Sequence, residues 1–391
     1  MYTVRTFDSL TNVAKVQLSK KNYIVLNGGH EYDAAFVRYT SLLGERFPET
    51  LKCIARAGFS TVNVPLEECT KKGIVIFHTP GATSNAVKEL VLCGLLLSSR
   101  RVLKGANWLR EIADDDDLEE KAEDARLDFL GAEINGKRLG VVGLGAVGAK
   151  VARVAQSLGM EVFGYDPYIP ATVAMEFDGK IKFVRTLNDL FGECDYISLH
   201  VPVTEKTKGM ICKESIESMK EGVRLINFAD AALINEQDLL VALRQKKIEK
   251  YVSDFASKKL IMMENVILLP HMGGETEESE ARSACMAIEE IQDYLEKGVI
   301  RNSVNFPSLD LAYEGGIRMC FMHENRSNTI NEILAIMDTC VINIGCRSKG
   351  NVSYTIIDVG EKLGKEKLQK LKKVDGVIRI RELENVPVVN G

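Results

Sequence analysis

The segment from Arg138 to Asp166, RLGVVGLGAVGAKVARVAQSLGMEVFGYD, constrains the fold of this chain more than any other stretch. It opens with an apolar, β-prone run from Leu139 to Leu144, as expected of a buried parallel strand. A glycine-rich turn and a helical pattern follow, and a second apolar strand ends at Asp166. The order strand, helix, strand predicts a parallel βαβ unit inside an α/β domain.

Three glycines in the turn, Gly143, Gly145 and Gly148, have the spacing G-x-G-x-x-G, and Ala146 and Val147 lie between the last two. The first glycine permits a sharp bend, the second lets a pyrophosphate approach the backbone, and the third lets helix and strand pack closely. The free N–H groups at the start of the helix favour phosphate charge. These five positions predict a dinucleotide-binding site.

The acid at the end of the second strand indicates which dinucleotide binds. Asp166 follows Gly148 by eighteen positions, close to the offset of an acid that hydrogen-bonds a ribose 2′-hydroxyl. A carboxylate there repels a 2′-phosphate, and the next residue is Pro167 rather than an arginine. We therefore predict NAD, rather than NADP, as the cofactor.

Length and composition restrict the classes of protein that remain. A chain of 391 residues exceeds one ordinary core, so two or three domains are expected. A net charge of −5 gives no reason to expect a nucleic acid or an anionic membrane as partner. There is no apolar run of membrane-spanning length and no pattern of a signal peptide at the start. Nine cysteines without a C-x-x-C pair favour reduced thiols in a cytoplasmic protein, and we expect no metal site.

Strand and helix patterns alternate along the rest of the chain. An N-terminal α/β region is indicated by strands at 2–7, 23–27 and 34–38, and the alternation continues through 49–58 and 71–81. After the βαβ unit, further strands separated by helical segments predict a doubly wound parallel sheet. These strands lie at 181–184, 195–201, 223–228, 250–254 and 266–270.

Other segments complete the expected organisation. A long, largely apolar helical stretch begins at Ser84, where the serine and Asn85 suit capping. A second helical segment, 275–297, is expected to return the chain to the first domain, and 302–310 looks like a linker. The last part, from 317 to 382, has the βαββαβ order of a small ferredoxin-like domain.

Together these segments resemble the D-isomer-specific 2-hydroxyacid dehydrogenases, most closely those of the phosphoglycerate dehydrogenase type with a C-terminal ACT domain. The resemblance covers essentially the whole chain. It implies a split flavodoxin-like substrate domain (1–85 and 285–310), an inserted Rossmann NAD-binding domain (86–284) and a ferredoxin-like ACT domain (316–391). The matching segments are IARAG, VPLEECTKKGIVIFHTPG, NAVKEL, the nucleotide fingerprint with GYDPY, DYISLHVPVTEKTKGMI, PHMGG with TEESE, and NSVNFP.

The resemblance implies NAD-dependent interconversion of 3-phosphoglycerate and 3-phosphohydroxypyruvate on the route to serine. The alcohol must lose its proton as the hydride leaves, so the reaction needs a base near neutral pH. His271, at a strand end, matches the family histidine that moves this proton. His200 matches the cofactor loop but could equally be a satisfied core histidine. The same resemblance assigns these residues to the cofactor site: His200, Val201, Pro202, Thr207, Asp254 and Gly273.

One catalytic position departs from the family. Where relatives carry an arginine that holds the substrate carboxylate, this chain has Asp230 in NFADAALIN. Two like charges about 4 Å apart repel by about 4 kcal/mol at an effective dielectric of about 20, unless Asp230 points away or pairs locally. The glutamate that relatives place shortly after Asp254 is also missing, because DFASKKL offers Ser257 and Lys258 first.

The substrate and effector segments are altered too. Arg38 and Arg56 match arginines near the family's substrate phosphate, although Arg38 alone could be a surface residue. In relatives, R-A-G-x-G cradles the carboxylate with backbone N–H groups; Gly58 is kept here, but Phe59 and Ser60 add side chains.

The predicted ACT domain keeps part of the family's effector pocket. His323 and Asn325 remain, while Ser327 and Asn331 replace the proline and the last glycine that shape it. The resemblance therefore implies an amino-acid effector with weakened regulation. It also implies a homodimer or homotetramer, with the apolar helix after Ser84 buried between subunits.

Three functions remain open at this point. The first is an NAD-dependent 2-hydroxyacid dehydrogenase of the phosphoglycerate dehydrogenase type. The second is a catalytically impaired, NAD-binding paralogue, and the third is a dehydrogenase of altered substrate. Family resemblance favours the first, whereas Asp230, Phe59 and Ser60 favour the other two.

Overall fold

A computed structural model shows how the chain folds. The chain divides into two compact units, the first comprising Met1–Ala82 with Glu277–Gly391 and the second Thr83–Thr276. The three-domain division stays a prediction, and residues 385–391 of its last domain lie outside the described part. No helix within the described ranges is long and apolar enough to cross a membrane. The structure describes residues 1–19, 23–169, 175, 177 and 179–384.

The N-terminal part of the first unit is a parallel sheet of short apolar strands. Its strand Ala34–Val37 is buried at every residue, as expected of a sheet covered on both faces. The elements are β1 (Tyr2–Thr6), α1 (Asn12–Ser19), β2 (Tyr23–Leu26), β3 (Ala34–Val37), β4 (Cys53–Arg56), α2 (Leu66–Lys71) and β5 (Val75–His78). The strand order is β2-β1-β3-β4-β5.

The second unit contains a seven-stranded parallel sheet. Its strands are β6 (Arg138–Val142), β7 (Glu161–Tyr165), β8 (Lys182–Phe183), β9 (Tyr196–Leu199), β10 (Val223–Asn227), β11 (Ile248–Ser253) and β12 (Val266–Leu268). Their order is β12-β11-β10-β9-β6-β7-β8, so the connections reverse direction between β6 and β9. This is the doubly wound arrangement that the sequence predicts, and ligands bind such sheets at the reversal point.

The helical stretch that begins at Ser84 differs from the prediction in two respects. The helical stretch from Ser84 ends at Ser99, because Arg100 is extended (φ −112°, ψ 141°), and a new helix begins at Val102. The predicted capping by Ser84 and Asn85 was wrong: the Ser84 hydroxyl instead accepts a hydrogen bond from Lys150 Nζ at 2.6 Å. The helices are α3 (Ser84–Ser99), α4 (Val102–Glu111), α5 (Leu118–Asp124), α6 (Gly148–Ser157), α7 (Leu187–Glu193), α8 (Lys213–Glu217) and α9 (Glu236–Arg244).

The C-terminal part of the first unit has the predicted βαββαβ order. After α10 (Glu277–Gln292) come β13 (Ile317–Glu324), α11 (Thr329–Met337), β14 (Val341–Lys349), β15 (Val352–Val359), α12 (Lys365–Leu371) and β16 (Val377–Leu383). The antiparallel order β14-β15-β13-β16 is compatible with an ACT domain.

Alternation along β13 joins this sheet to the N-terminal sheet. Met319 and Phe321 pack with the helices of the βαββαβ region, while Cys320 and Met322 belong to the core that contains Phe77. Successive side chains of a strand point to opposite faces, so one sheet serves two cores. The βαββαβ region therefore shares a continuous hydrophobic core with the N-terminal sheet.

Arginines satisfy backbone carbonyls within this shared core. Arg381 donates to the carbonyls of Tyr294 and Leu295, each at 3.0 Å. Arg318 pairs with Asp358 at 2.7 Å, and both side chains are almost fully buried. Removing one partner of such a pair costs about 3–5 kcal/mol, because the remaining charge stays buried.

Residues 302–310 are not the linker that the sequence suggests. Asn305 is buried, its Oδ1 accepts a hydrogen bond from the N–H of Ile76 (2.9 Å), and its Nδ2 donates to the carbonyl of Ile74 (2.8 Å). Phe306 is completely buried in the shared core. The prediction was wrong because the asparagine amide pairs with the edge of β5, which a local pattern of polar residues does not show.

Candidate cofactor and catalytic site

The glycine turn after β6 has the shape that a pyrophosphate requires. Gly143 has φ +91°, and a Cβ there would lie 2.7 Å from the carbonyl oxygen of His200. A Cβ on Gly148 would lie 1.9 Å from the carbonyl oxygen of Gly143, so helix and turn touch. A Cβ on Gly145 would meet no atom within 4 Å. The turn therefore leaves open space at Gly145, where a phosphate must approach.

Asp166 is fixed beside this turn at the end of β7. Its Oδ2 accepts a hydrogen bond from the N–H of Leu144, and its Oδ1 accepts one from the N–H of Tyr168, both at 2.9 Å. An ionised carboxylate has about four acceptor positions, so capacity remains for a ribose hydroxyl. Ala146 and Val147 complete the turn before α6 begins at Gly148.

The loop after β9 lies against the same turn. The Val201 side chain comes within 2.8 Å of the position of a Cβ on Gly143. The Thr207 hydroxyl donates to the carbonyl of Pro202 at 2.6 Å, which braces the loop internally. His200 shares a 2.9 Å hydrogen bond with the Ser198 hydroxyl, and desolvation lowers the pKa of its imidazole to about 3. The ring is therefore neutral near pH 7.

Asp254, at the end of β11, carries an unsatisfied buried oxygen. The residue is 1% exposed, and its Oδ2 accepts hydrogen bonds from the N–H groups of Met272 (3.1 Å) and Gly273 (2.8 Å). Its Oδ1 is buried and has no hydrogen-bond partner among the residues described. A buried acceptor without a donor is costly, so a ligand donor such as the carboxamide of nicotinamide fits this position.

His271 follows β12 and is exposed. Its ring meets the ring of Phe255 edge-on, with centroids 5.2 Å apart. Neither ring nitrogen has a hydrogen-bond partner in the described parts of the chain. The Ser257 hydroxyl donates to Glu236 at 2.8 Å, and Lys259 pairs with the same carboxylate at 3.3 Å. No described carboxylate therefore holds the His271 imidazole.

Asp230 follows β10 and caps a short turn. Its Oδ1 accepts a hydrogen bond from the N–H of Ala232 at 2.8 Å, while its backbone exchanges hydrogen bonds with the Asn227 amide. Within the described ranges the carboxylate forms no ion pair. Asp230 thus pairs locally, with a backbone N–H rather than with a lysine. This bond depends on the turn geometry, which the sequence alone does not give.

The glycine of the predicted substrate loop is already engaged in the first unit. Gly58 has φ +140°, and its N–H donates to the Thr79 hydroxyl at 2.7 Å. A Cβ there would overlap Nη1 of Arg56, whose guanidinium covers the glycine. Phe59 is 61% exposed and lies next to the His78 ring. Thr79 was missed at the sequence level because a threonine before a proline carries no specific signal.

Arg38, the other predicted substrate residue, is buried. Its guanidinium pairs with Glu280 at 3.0 Å and lies over the Tyr39 ring, 4.7 Å from the centroid. A substrate anion would have to compete with Glu280 for this charge. The alternative of a solvated surface arginine is therefore wrong.

The predicted effector residues hold the βαββαβ region together. His323 is buried, with Nδ1 2.8 Å from the Glu324 carbonyl and Nε2 2.8 Å from the Thr355 hydroxyl. Burial lowers the pKa of this imidazole. The Asn325 amide donates to the carbonyl of Gly350 at 3.2 Å. An effector role for either residue stays a prediction.

A Rossmann turn that leaves room for a pyrophosphate, an acid at the end of β7 and a histidine after β12 define an NAD-dependent dehydrogenase architecture. A family model described as D-isomer specific 2-hydroxyacid dehydrogenase, NAD binding domain, matches residues 95–273. The chain belongs to the D-isomer-specific 2-hydroxyacid dehydrogenases, which are NAD-dependent oxidoreductases. The predictions of family, fold class and NAD as cofactor are confirmed.

Several relatives are named phosphoglycerate dehydrogenases. The D-3-phosphoglycerate dehydrogenase of Haemophilus influenzae is 32% identical over 88% of this chain and 84% of that protein. The protein of the same name from Methanocaldococcus jannaschii is 31% identical over 88% of this chain, which spans only 62% of that relative's length. The Thermotoga maritima hydroxypyruvate reductase is 32% identical over 74% of this chain and 97% of that protein.

Solved structures agree with the fold. The NAD+-bound 3-phosphoglycerate dehydrogenase of Entamoeba histolytica aligns with a TM-score of 0.62 at 25% identity, covering 79% of this chain and 99% of that chain. The bound cofactor in that structure is consistent with NAD as the ligand of the glycine turn.

Proposed function

We propose that this chain binds NAD as an oxidoreductase of the phosphoglycerate dehydrogenase type, and that its turnover of 3-phosphoglycerate is strongly impaired. The observation that carries the proposal is Asp230, which caps its own turn at the end of β10 where relatives hold an arginine. The open space at Gly145 supports the cofactor half of this proposal, and an acid at position 230, where the resemblance implies an arginine, supports the substrate half. The proposal includes two cases, a dehydrogenase with low residual activity and a paralogue that binds NAD without turnover.

NAD binding would use the turn, the acid and the unsatisfied oxygen described above. Gly145 gives the pyrophosphate access to the backbone, Asp166 accepts from the ribose 2′-hydroxyl, and Asp254 Oδ1 accepts from the nicotinamide carboxamide. When bound, NAD supplies the hydride acceptor of the reaction. His200 is neutral near pH 7 and adds no charge near the turn. Phosphate binding there would therefore depend on backbone N–H groups and not on the protonation of this histidine.

Proton transfer would fall to His271. An exposed imidazole can take the proton of a substrate hydroxyl, but no carboxylate among the described residues fixes its tautomer or stabilises the imidazolium that forms. The arginine missing at position 230 would have polarised the carbonyl and oriented the carboxylate of the substrate. Its replacement by an acid that caps its own turn removes this attraction, so both kcat and KM should suffer.

Calorimetry and steady-state kinetics together test the proposal. Purified protein should bind NAD+ or NADH in preference to NADP+ or NADPH, while NADH formation with 3-phosphoglycerate stays slow. Asp230→Arg should recover part of the rate. The matched control is Glu217→Arg, which makes the same charge change on α8, where the acid lies 4.0 Å from Lys213. Equal or tighter binding of NADPH would contradict the role of Asp166.

A second candidate is a dehydrogenase whose substrate has no carboxylate next to the reacting alcohol. It is favoured by the acceptor capacity of Asp230, which can take a hydrogen bond from a hydroxyl or an ammonium group. Such an enzyme would oxidise uncharged or amino-bearing alcohols faster than 3-phosphoglycerate, and Asp230→Arg would slow it. A panel of small alcohols with NAD+ separates this candidate from the first.

A further inference from the structure

The substrate loop of the first unit lies beside a cluster of basic side chains. Strands β4 and β5 are parallel neighbours, and their last residues, Arg56 and His78, are register partners. Gly58 and Thr79 tie the two following loops together through a pair of hydrogen bonds, at 2.7 and 3.0 Å. Both basic residues therefore lie at the carboxyl edge of this sheet, where open α/β sheets bind ligands.

A third basic residue comes from the βαββαβ region. Lys349 ends β14, and its Nζ donates to the carbonyls of Ser303 and Val304, each at 3.0 Å. Ser303 forms an antiparallel bridge with Phe77, next to His78. The Lys349 ammonium therefore lies near the end of β5, because the segment whose carbonyls it contacts pairs with that strand.

The charges of this cluster act on His78. The Nδ1–H of His78 donates to the carbonyl of Phe59 at 3.0 Å, so Nε2 remains without a bond to any described residue. Burial lowers the pKa of this imidazole, and the positive charges of Lys349 and Arg56 act in the same direction, against the effect of the bond to Phe59. Lys349 and Arg56 are therefore close enough to His78 to interact with it electrostatically.

No described carboxylate pairs with Lys349 or with His78. An ammonium has three N–H donors, and the two carbonyls use two of them. The remaining donor of Lys349 presents positive charge at a sheet edge near Phe59, which is 61% exposed. An anion with several acceptor oxygens satisfies such a group best, and phosphate matches both the point charge of lysine and the fork of arginine.

We infer that Lys349, with Arg56 and His78, forms a binding site for a phosphate monoester, so that the βαββαβ region supplies a specificity-determining residue to the substrate domain. The inference rests on the proposed function only for the identity of the natural ligand. Lys349 thus adds an electrostatic link between the βαββαβ region and the substrate loop to the hydrophobic core that the two regions share. Loss of this lysine would weaken selection of phosphorylated over unphosphorylated hydroxy acids.

An NMR titration without NAD tests the inference on the full chain. Orthophosphate is added at constant ionic strength, and the signal of His78 is followed in protein with ¹³C-labelled histidine rings. Lys349→Met should weaken phosphate affinity by about tenfold, whereas Lys349→Arg should retain it. The matched control is Lys362→Met, an exposed lysine that pairs with Glu382 at 3.3 Å and should leave affinity unchanged.

Two results would overturn the inference. One is equal phosphate affinity in the wild type and in Lys349→Met, and the other is an equal loss in Lys362→Met. In a second arm, 3-phosphoglycerate should bind more tightly than D-glycerate; equal affinities would contradict a phosphate site. Lys349→Met could lose affinity because it folds poorly. Lys349→Arg, which keeps the charge, then still tests whether a cation at this position binds phosphate. The titration does not measure turnover, so its result can contradict this inference without contradicting the proposed function.

Discussion

Asp254 holds the loop that carries His271: its Oδ2 accepts a hydrogen bond from the N–H of Gly273 at 2.8 Å. The same oxygen accepts from the N–H of Met272, so two consecutive amides after the histidine converge on one buried carboxylate. The position of the imidazole therefore depends on an acid that ends a different strand. This acid also carries the unsatisfied oxygen that we assign to the nicotinamide carboxamide.

Asp254→Asn should weaken NAD binding by about tenfold and lower the free energy of unfolding by about 1–3 kcal/mol. The amide offers one acceptor oxygen, so it cannot serve both backbone N–H groups and the cofactor. Calorimetry with NAD+ and urea unfolding measure the two effects. Asp238→Asn is the control, because Asp238 also accepts from a backbone N–H, that of Lys213 at 2.9 Å, outside the cofactor site. Unchanged NAD affinity in Asp254→Asn would disprove the assignment.

Two glycine substitutions should separate binding from folding. Gly145→Ala meets no atom within 4 Å, so the protein should fold normally and lose NAD affinity, because the methyl group occupies the place of the pyrophosphate. Gly148→Ala brings a Cβ to 1.9 Å from the backbone oxygen of Gly143 and should lower stability as well. Thermal unfolding beside NAD titration distinguishes the two. Normal NAD binding by Gly145→Ala would place the phosphates elsewhere.

His200 should make the stability of the protein rise with pH between about pH 3 and pH 6.5. Desolvation lowers its folded-state pKa to about 3, while in the unfolded chain the pKa is about 6.5. Over that range the unfolded state binds more protons, so the stabilisation is complete above the unfolded pKa and is lost as the pH falls. His200→Asn should flatten the dependence in urea melts. His30→Asn, at an exposed position, serves as control, and an equal flattening there would refute this explanation.

The sequence predicts the fold well because hydrophobic periodicity is local. The alternation of side chains along β13 and the βαβ pattern around Gly143 both depend on residues that are neighbours in sequence. The sheet type and the turn can therefore be predicted from them. Contacts between distant residues carry no such signal. The hydrogen bond of Gly58 to Thr79, the pairing of Arg38 with Glu280 and the position of Lys349 all depend on tertiary packing.

We expect at least a dimer in solution. Leu127 and Leu130, which follow α5, are 71% and 72% exposed in the single chain, and burial in an interface would remove this apolar surface from water. Sedimentation should show an assembly at micromolar concentration, and Leu130→Glu should shift it towards the monomer. Met262→Glu, at a residue 83% exposed, is the matched control. A monomeric wild type would contradict the expectation.

The rate of NADH formation from 3-phosphoglycerate and saturating NAD+, measured for the wild type beside Asp230→Arg, tests the central claim most directly. The account predicts a wild-type rate several decades below ordinary enzyme values of about 1–1000 per second, with a clear gain in the variant. The gain should be partial, because Phe59 and Ser60 stay in the substrate loop and His271 has no carboxylate partner in the part of the chain that the structure describes. An ordinary rate in the wild type, with no gain in Asp230→Arg, would contradict it and would mean that another cation performs the work of the missing arginine.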